Sequence, residues 1–212
     1  MRHSNIFIFL IFCAPVLAQS DTASQPRLYF DGIYLGSNGG FQNLFGGSFV
    51  DGVDVLAQES RFVAELLGGY RKQLLKGRIM LGVEARIGFT DGNLSHEDPS
   101  KSLAIHYKNN TQNSLGMVIG ATFGKQKNWL AFAYGNETTR RFDVSVKSRG
   151  ESFKQKDEQG MLKYGLGLER QIWRGLIVCV TTGRLRVDFG DHITNIAVDD
   201  KWDFTLGITY QF

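Results

Sequence analysis

With 212 residues, 25 glycines, 3 prolines and 12% aromatic residues, the chain has the size of one folded domain and the composition neither of a disordered chain nor of a helical bundle. Its formal net charge is only +3 and like charges do not cluster in long runs, so the sequence indicates no nucleic-acid partner. Beyond residue 17, no apolar stretch approaches the ~20 residues of a membrane helix. A membrane form of this chain must therefore cross with strands.

The N-terminal residues have the order of a secretory signal peptide. Basic residues precede an apolar run over 6–17, and Ala18 follows as a small residue at the cleavage position. We predict that cleavage after Ala18 removes residues 1–18 and that residues 19–27 form a short periplasmic leader.

Two other interpretations of this segment, a membrane anchor and a lipoprotein signal, are less favourable. The apolar run has about 12 residues, whereas a membrane anchor needs ~20. A lipoprotein acylated on Cys13 is disfavoured because the bulky Phe12 precedes that cysteine. Cleavage leaves Cys179 as the single cysteine, which excludes an internal disulfide.

Segments of alternating polarity follow in chain order, of roughly the ten residues that a tilted membrane strand requires. They are 28–38, 62–71, 79–89, 115–124, 130–135, 162–169, 176–188 and 203–212. In the first segment Asp31 falls on the otherwise apolar face. The seventh segment is apolar on both faces at its start, so its register is not fixed by the sequence. The last segment alternates strictly, with large apolar residues on one face and small or polar residues on the other.

The connections alternate in length. Short polar turns occupy 72–77, 125–128 and 171–175, whereas long connections occupy 39–60, 90–114, 136–160 and 190–201. Membrane barrels have short periplasmic turns and long outer loops, while a soluble up-and-down barrel has no reason to sort its loops by end. The sequence therefore predicts an all-β fold over 28–212: an eight-stranded antiparallel up-and-down transmembrane β-barrel with both termini in the periplasm and its first and last strands paired.

Aromatic residues fall near the predicted strand ends, as expected for rings at the two membrane–water interfaces. Those at the periplasmic ends are Tyr29, Tyr70, Trp129, Tyr210 and Phe212. Those at the outer ends are Phe89, Tyr164 and Trp202.

The face opposite the apolar one carries charges that lipid would not accommodate. They are Glu65, Glu84, Arg86 and Lys163. A hairpin centred near residues 74 and 75 would place Glu65 opposite Glu84, with the two cations between them. We interpret this set as a structural ion cluster that fills a narrow lumen, in preference to a proton or ion path.

Four stretches resemble the small outer-membrane barrels typified by outer membrane proteins A and X. They are 29–36 (YFDGIYLG), 68–70 (GGY), 82–84 (GVE) and 207–212 (GITYQF). The resemblance spans the mature chain and implies that Tyr210 and Phe212 are read by the barrel-assembly machinery. It also implies that Glu84 joins a lumenal ion network. The chain departs from this family at Gly183 and Arg184, where a Glu-Tyr pair is frequent, so an inward partner from the seventh strand is in doubt.

Some small outer-membrane barrels are enzymes that edit lipid A with a serine, a histidine and a carboxylate, so the histidines of this chain are candidate catalytic residues. His96 lies in the sequence Ser-His-Glu-Asp but in a predicted outer loop, where polar residues are ordinary. His106 lacks the following serine that a deacylase would have. His192 lies near acidic residues without the ligand spacing of a calcium loop.

The third predicted outer loop carries six basic and five acidic residues over 136–160, which fits a solvated loop better than a lipopolysaccharide site. Apolar and polar residues alternate over 142–147, so the fifth strand could continue beyond the membrane and offer an edge to a partner.

The sequence therefore predicts a non-catalytic integral protein of the bacterial outer membrane, with a structural or adhesion-like role through its outer loops and without cofactor or metal. The expected partners are outer-membrane lipid and lipopolysaccharide, the barrel-assembly machinery and an extracellular molecule at the loops. The alternatives are a lipid A-modifying hydrolase and a narrow channel.

Overall fold

A computed structural model describes residues 28–50, 52–90, 92–187 and 202–212. The predicted signal peptide and leader, the cleavage position at Ala18 and His192 lie outside the described residues. None of the described residues forms a helix long and apolar enough to cross a membrane.

The described chain is almost entirely strand. Its elements are β1 Gly32–Val50, β2 Val53–Leu74, β3 Ile79–Thr90, β4 Asn93–Asp98, a 3₁₀ turn Pro99–Lys101, β5 Leu103–Phe123, β6 Trp129–Ser148, β7 Glu151–Trp173, β8 Leu176–Val187 and β9 Asp203–Gln211. All pairings between strands are antiparallel.

These strands close into a ring of eight, because β4 continues the line of β3 along β5. The ring closes where β1 pairs with β9, from Tyr34 opposite Gln211 to Phe41 opposite Phe204. The predicted eight-stranded antiparallel barrel and its pairing of first and last strands are therefore confirmed. We call the end of the barrel that holds the two ends of the described chain the terminal end, and the other the distal end.

Alternation along the strands sets the two faces of the barrel wall. Large apolar side chains point outward and are exposed on the bare protein, such as Leu66 at 58% and Ile208 at 55%. Their neighbours in sequence point into the lumen and are buried. The structure also fixes the register of β8: Val178 points outward, whereas the Thr181 hydroxyl lies inside, 2.6 Å from that of Thr205.

The aromatic residues form two levels on the outward face as expected, with one exception. Tyr70, Tyr210 and Phe212 are exposed near the terminal end, and Phe89, Tyr164 and Trp202 are exposed farther toward the distal end, with Tyr164 in the middle of the long strand β7. Tyr29 instead packs against a buried apolar cluster in the lumen.

For three of the four connections, the prediction of a long outer loop is wrong, because most of each connection is strand. Residues 39–50 and 53–60 belong to β1 and β2, and residues 136–160 are strand except for the turn at 149–150. Between β3 and β5, residues 93–98 form β4 and the short 3₁₀ turn follows it. The predicted continuation of the fifth segment is confirmed, since β6 runs to Ser148. The fourth predicted loop, 190–201, lies outside the described residues.

The prolonged strands form what we call the distal extension: residues 42–50 and 53–62 of the first hairpin facing residues 93–98, 103–110, 141–148 and 151–159 of four neighbouring strands. Its interior is a core of buried side chains: Leu44, Val55, Ala57, Leu94, Leu103, Ile105, Tyr107, Phe142, Val144 and Val146. Burial there raises the pKa of Tyr107 to about 12. The strands stay paired beyond the membrane because this core is excluded from water.

Candidate functional site

The terminal end of the lumen is filled by apolar side chains. Phe30, Met80, Leu130 and Ile177 are fully buried there, with Val118, Phe132 and Tyr134 packed above them. The Phe30 backbone N–H donates to the Gln73 side-chain oxygen at 2.8 Å, which holds the residues before β1 in the mouth of the barrel. Asp31, which broke the alternation in the sequence, accepts from the Gln73 backbone N–H at 2.8 Å. Its polar side chain is therefore used to close this end.

An ionic network begins above this plug. Arg71 donates to both carboxylate oxygens of Glu169, at 2.5 and 2.9 Å. The same guanidinium lies 3.7 Å from the centre of the Tyr34 ring. The Tyr34 hydroxyl in turn donates to Glu84 at 2.7 Å. A bidentate pair stacked on an aromatic ring is a strong and geometrically specific arrangement for buried charges.

Arg86 joins the two glutamates that the sequence singled out. Its Nε donates to Glu84 at 2.5 Å and its Nη1 to Glu65 at 3.2 Å. The expected register was wrong, however: Glu65 is opposite Gly88, and Glu84 is opposite Gly69. The turn lies at 75–78, beyond the expected centre, so the two acids are staggered along the barrel axis and the arginine fits between them.

The network continues toward the distal end through neutral amides. Glu65 accepts from Gln42 at 3.0 Å and from Gln112 at 2.8 Å. Arg140 donates to Gln112 at 2.9 Å and to the Asn43 carbonyl at 2.9 Å. Chains of this kind stabilise buried polar groups because each donor has an acceptor.

Lys163 lies inside the barrel, but its nearest carboxylate is not one of the two predicted glutamates. Its Nζ lies 3.5 Å from Asp203, which also accepts from the Asn43 backbone N–H at 2.7 Å. Asp203 opens the last strand, so this pair ties β7 to β9 across β8.

The buried charges of the described residues balance. Four are acidic and four are basic, and none is more than 5% exposed: Glu65, Glu84, Glu169, Asp203, Arg71, Arg86, Arg140 and Lys163. A set without net charge fills the lumen at this level, as expected for a barrel of eight strands, with Arg140 held by amide and carbonyl oxygens in place of a carboxylate.

Sequence analysis missed half of this set, although part of the signal was present. Arg71 and Glu169 fall on the same inward face as the predicted charges, so parity alone could have found them. Arg140 was assigned to a solvated outer loop, yet it is fully buried. Nothing local in the sequence distinguishes it from Arg141, which is exposed.

At Gly183, β8 has no inward side chain, because a residue from another strand occupies that space. A Cβ at this position would collide with the Tyr134 hydroxyl, which occupies the space from β6. Gly69 makes the corresponding room for Tyr34, whose hydroxyl would lie 2.7 Å from an added Cβ. The lumenal aromatic residues therefore lie over glycines of nearby strands, Tyr34 over Gly69 of the adjacent β2 and Tyr134 over Gly183 two strands away.

The histidines lie on the distal extension. Ser95 and His96 are neighbours on β4 and so point to opposite faces, which separates the serine and histidine of the Ser-His-Glu-Asp sequence. His106 is exposed on β5, with Ser95 and Ser145 opposite it on the two adjoining strands. The described residues include no hydrogen bond from His106 to either serine, and no group of three metal-ligating side chains.

The fold resembles solved outer-membrane barrels at low sequence identity. Neisserial surface protein A is 12% identical over 86% of this chain and 98% of its own, with a TM-score of 0.45. The Ail protein of Yersinia pestis, solved in complex with the heparin analogue sucrose octasulfate, is 14% identical over 86% and 99%, with a TM-score of 0.47. The N-terminal β-barrel domain of Pseudomonas aeruginosa OprF is 10% identical over 86% and 98%, with a TM-score of 0.44.

Comparison with curated proteins gives no match. A family model described as the outer membrane protein beta-barrel domain matches residues 7–212, which is nearly the whole chain. The chain therefore belongs to the outer membrane protein β-barrel domain family, and its location is the bacterial outer membrane.

Proposed function

We propose that this chain is a non-catalytic outer-membrane protein whose distal extension faces the outside of the cell and contacts an external surface, in an adhesion-like role. The observation that carries this proposal is the core of the extension, which holds ten buried residues above the membrane belt. Connections that only join membrane strands have no need of such a core, because water satisfies their backbone.

The strand pairing gives this contact an edge among the described residues. β7 pairs with β6 from residue 151, but its pairing with β8 begins only at Met161. Among the described residues, the other edge of 151–159 therefore has no strand partner. An exposed strand edge can accept an extended segment of another protein by main-chain hydrogen bonds.

The test compares bacteria that produce the wild-type protein with bacteria that produce a shortened β6–β7 hairpin. Residues 143–156 are replaced by Asn-Gly, so that the chain turns just above the Phe142–Asp157 pair. Binding to cultured host cells and to immobilised matrix proteins should fall several-fold. Migration of unheated protein in detergent gels reports whether the barrel is intact. Equal binding by the two strains, at equal surface amounts, would contradict the proposal.

A lipid A-modifying hydrolase is the second candidate, supported by the position of His106 between two serines on adjoining strands. Such an enzyme needs a nucleophile, a base and an orienting group in mutual contact. Purified protein incubated with lipid A and analysed by mass spectrometry decides between the candidates. A deacylated product that disappears in His106→Ala would replace the non-catalytic proposal.

We also propose that Ala18 ends a cleaved signal peptide and that Tyr210 and Phe212 form the signal for the barrel-assembly machinery. The two rings pack edge to face, 5.1 Å apart, on the outward face of β9. N-terminal sequencing of the mature protein should begin at Gln19. Deletion of Phe212 should lower the amount of folded barrel in outer membranes more than any substitution in the distal extension does.

A further inference from the structure

The turns at the terminal end carry a concentrated positive charge. They are residues 75–78, 124–128 and 174–175, which join β2 to β3, β5 to β6 and β7 to β8. Outside the lumen, the described residues of this end have seven basic side chains and one acidic one: Lys72, Lys76, Arg78, Lys125, Lys127, Arg170, Arg174 and Asp31. Their net charge of +6 is twice the +3 of the whole chain, so positive charge is concentrated at this end.

Hydrogen bonds join these turns into one surface. The Lys127 Nζ of the second turn donates to the Lys76 carbonyl oxygen of the first. The Gln171 backbone N–H, just before the third turn, donates to the Asn128 carbonyl of the second at 3.0 Å. We call residues 75–78, 124–128 and 171–175 the terminal rim. Because the turns are tied together, their cations are held in place before any ligand binds.

Most of this charge is not neutralised within the described part of the chain. Of the seven cations, only Lys72 forms an ion pair with a described residue, Asp31 at 3.2 Å. The Arg170 guanidinium carbon lies 4.8 Å from the centre of the Trp129 ring. Lys72 and Arg170 are on the outward faces of β2 and β7, whereas the other five cations lie in the turns. An anionic ligand below the barrel is therefore the complement of the terminal rim.

A cavity of about 280 Å³ opens on the terminal rim, between its second and third turns. Aromatic, amide and guanidinium groups line it: Tyr29, Gln126, Asn128, Gln171, Trp173 and Arg174. The Trp173 side chain is 70% exposed. An exposed indole can pack against the C–H face of a sugar ring, while amides bind hydroxyl and peptide groups and a guanidinium binds a carboxylate. This combination suits a polymer of sugars and acidic peptides better than a lipid phosphate.

We propose that the terminal rim binds peptidoglycan. Lys125 and Arg174 pair with carboxylates of its peptides, and Trp173 packs against one of its sugar rings. With the distal extension outside the cell, the terminal rim faces the periplasm, where peptidoglycan is the polymer that combines sugars with carboxylate-bearing peptides. This orientation is the one point that the proposal takes from the proposed function. The barrel would thereby connect the outer membrane to the cell wall.

The test measures how much purified protein in detergent sediments with insoluble peptidoglycan sacculi. The double variant Lys125→Gln with Arg174→Gln should sediment several-fold less than the wild type. The matched control is Lys154→Gln with Lys156→Gln, which removes the same charge from the distal extension and should bind like the wild type. Trp173→Ala should also bind several-fold less, whereas Trp173→Phe, which keeps an aromatic face, should retain most of the binding.

Each outcome decides the proposal. Equal sedimentation of the two double variants overturns it, and so does undiminished binding to sacculi whose carboxylates have been amidated. If Lys125→Gln with Arg174→Gln loses binding to phosphatidylglycerol micelles but not to sacculi, the terminal rim recognises lipid headgroups and the proposal is wrong. Should that variant fail to show the folded migration in gels, Lys76→Gln with Lys125→Gln removes the same charge. Since the assay uses purified protein, its result is independent of the host-cell binding that tests the proposed function.

Discussion

The upper lumen of the membrane-level barrel and the distal extension are built from the same strands, yet they bury opposite kinds of side chain. Inward residues of β6 at the upper level of the lumen are Asn136, Thr138 and Arg140, and the next three inward residues are Phe142, Val144 and Val146. On the outward face the order is reversed, from alanine and glycine to charged and polar residues. The alternation itself never changes phase along the strand.

This difference shows that strand geometry decides only which residues share a face. The surrounding medium decides which face is apolar: lipid outside the barrel wall, and water outside the extension. The two interiors are consequently stabilised differently. The upper lumen depends on paired charges and hydrogen bonds, whereas the core of the extension, like the plug at the terminal end, depends on apolar burial.

Breaking a lumenal ion pair is expected to have the largest effect. Arg71→Met leaves Glu169 buried without its cation, which should lower the free energy of unfolding by about 3–5 kcal/mol. Urea unfolding of the barrel in lipid vesicles, followed by tryptophan fluorescence, measures the change. The double variant Arg71→Met with Glu169→Leu should recover most of the loss, because no uncompensated charge remains. A double variant no more stable than the single one would show that the pair does not act as a unit.

Opening a cavity in the extension should cost somewhat less, and only locally. Leu44 is fully buried among the apolar residues of that core, so Leu44→Ala should destabilise the extension by about 2–5 kcal/mol. Limited proteolysis on intact cells should cut the variant faster within 42–62, while its detergent-gel migration stays that of a folded barrel. Leu66→Ala, on the lipid-facing side of the neighbouring strand β2, is the control. Loss of the folded migration in Leu44→Ala would mean that the two regions unfold together.

A charge placed on the outward face distinguishes the two media directly. Val83→Arg puts a cation at membrane depth and should cost about 2–4 kcal/mol. Ser145→Arg puts the same side chain on the outward face of the extension, where the change should stay within about 0.5 kcal/mol. Unfolding in vesicles measures both. Similar losses of stability in the two variants would place Ser145 in lipid as well and contradict the assignment of water to the outward face of the extension.

Most of the barrel fold could be predicted from the sequence, because alternation with a period of two residues, which is strict in the last segment, is a local signal. The eight strands, their antiparallel order and the seam were predictable from them. The loops were predicted wrongly because residues 42–50 and 53–62 become strand through contacts with β4, β5 and β6, which are distant in sequence. Alternation alone is a weak signal of strand in these residues. The extension needs one apolar face that packs on distant strands, and the sequence does not identify those strands.

The sequence predicts which residues of the lumenal network point inward, but it does not predict their positions along the barrel axis. Parity places Glu65, Glu84 and Arg86 inside, and the structure brings them together. Their vertical spacing depends on the turn at 75–78, where Leu75, Lys76 and Gly77 adopt positive φ and move the register. The pairing of Lys163 with Asp203 depends on the order of the strands around the ring, which no local pattern reports.

A small effect is also expected when an exposed ion pair of the extension is removed. Arg141 lies 3.0 Å from Glu158 on the outward face of the extension, with side chains 62% and 58% exposed. Water screens this pair and the side chains lose entropy when they form it, so Arg141→Ala should change stability by no more than about 1 kcal/mol. A double-mutant cycle with Glu158→Ala, run at low and high salt, measures the coupling, which salt should weaken. The neighbouring Arg140 provides the contrast on the same strand, because it is fully buried and its loss removes hydrogen bonds that no water replaces. If Arg141→Ala proves as costly as Arg140→Ala, exposure does not separate the two faces at this level, and the outward face there is not open to water.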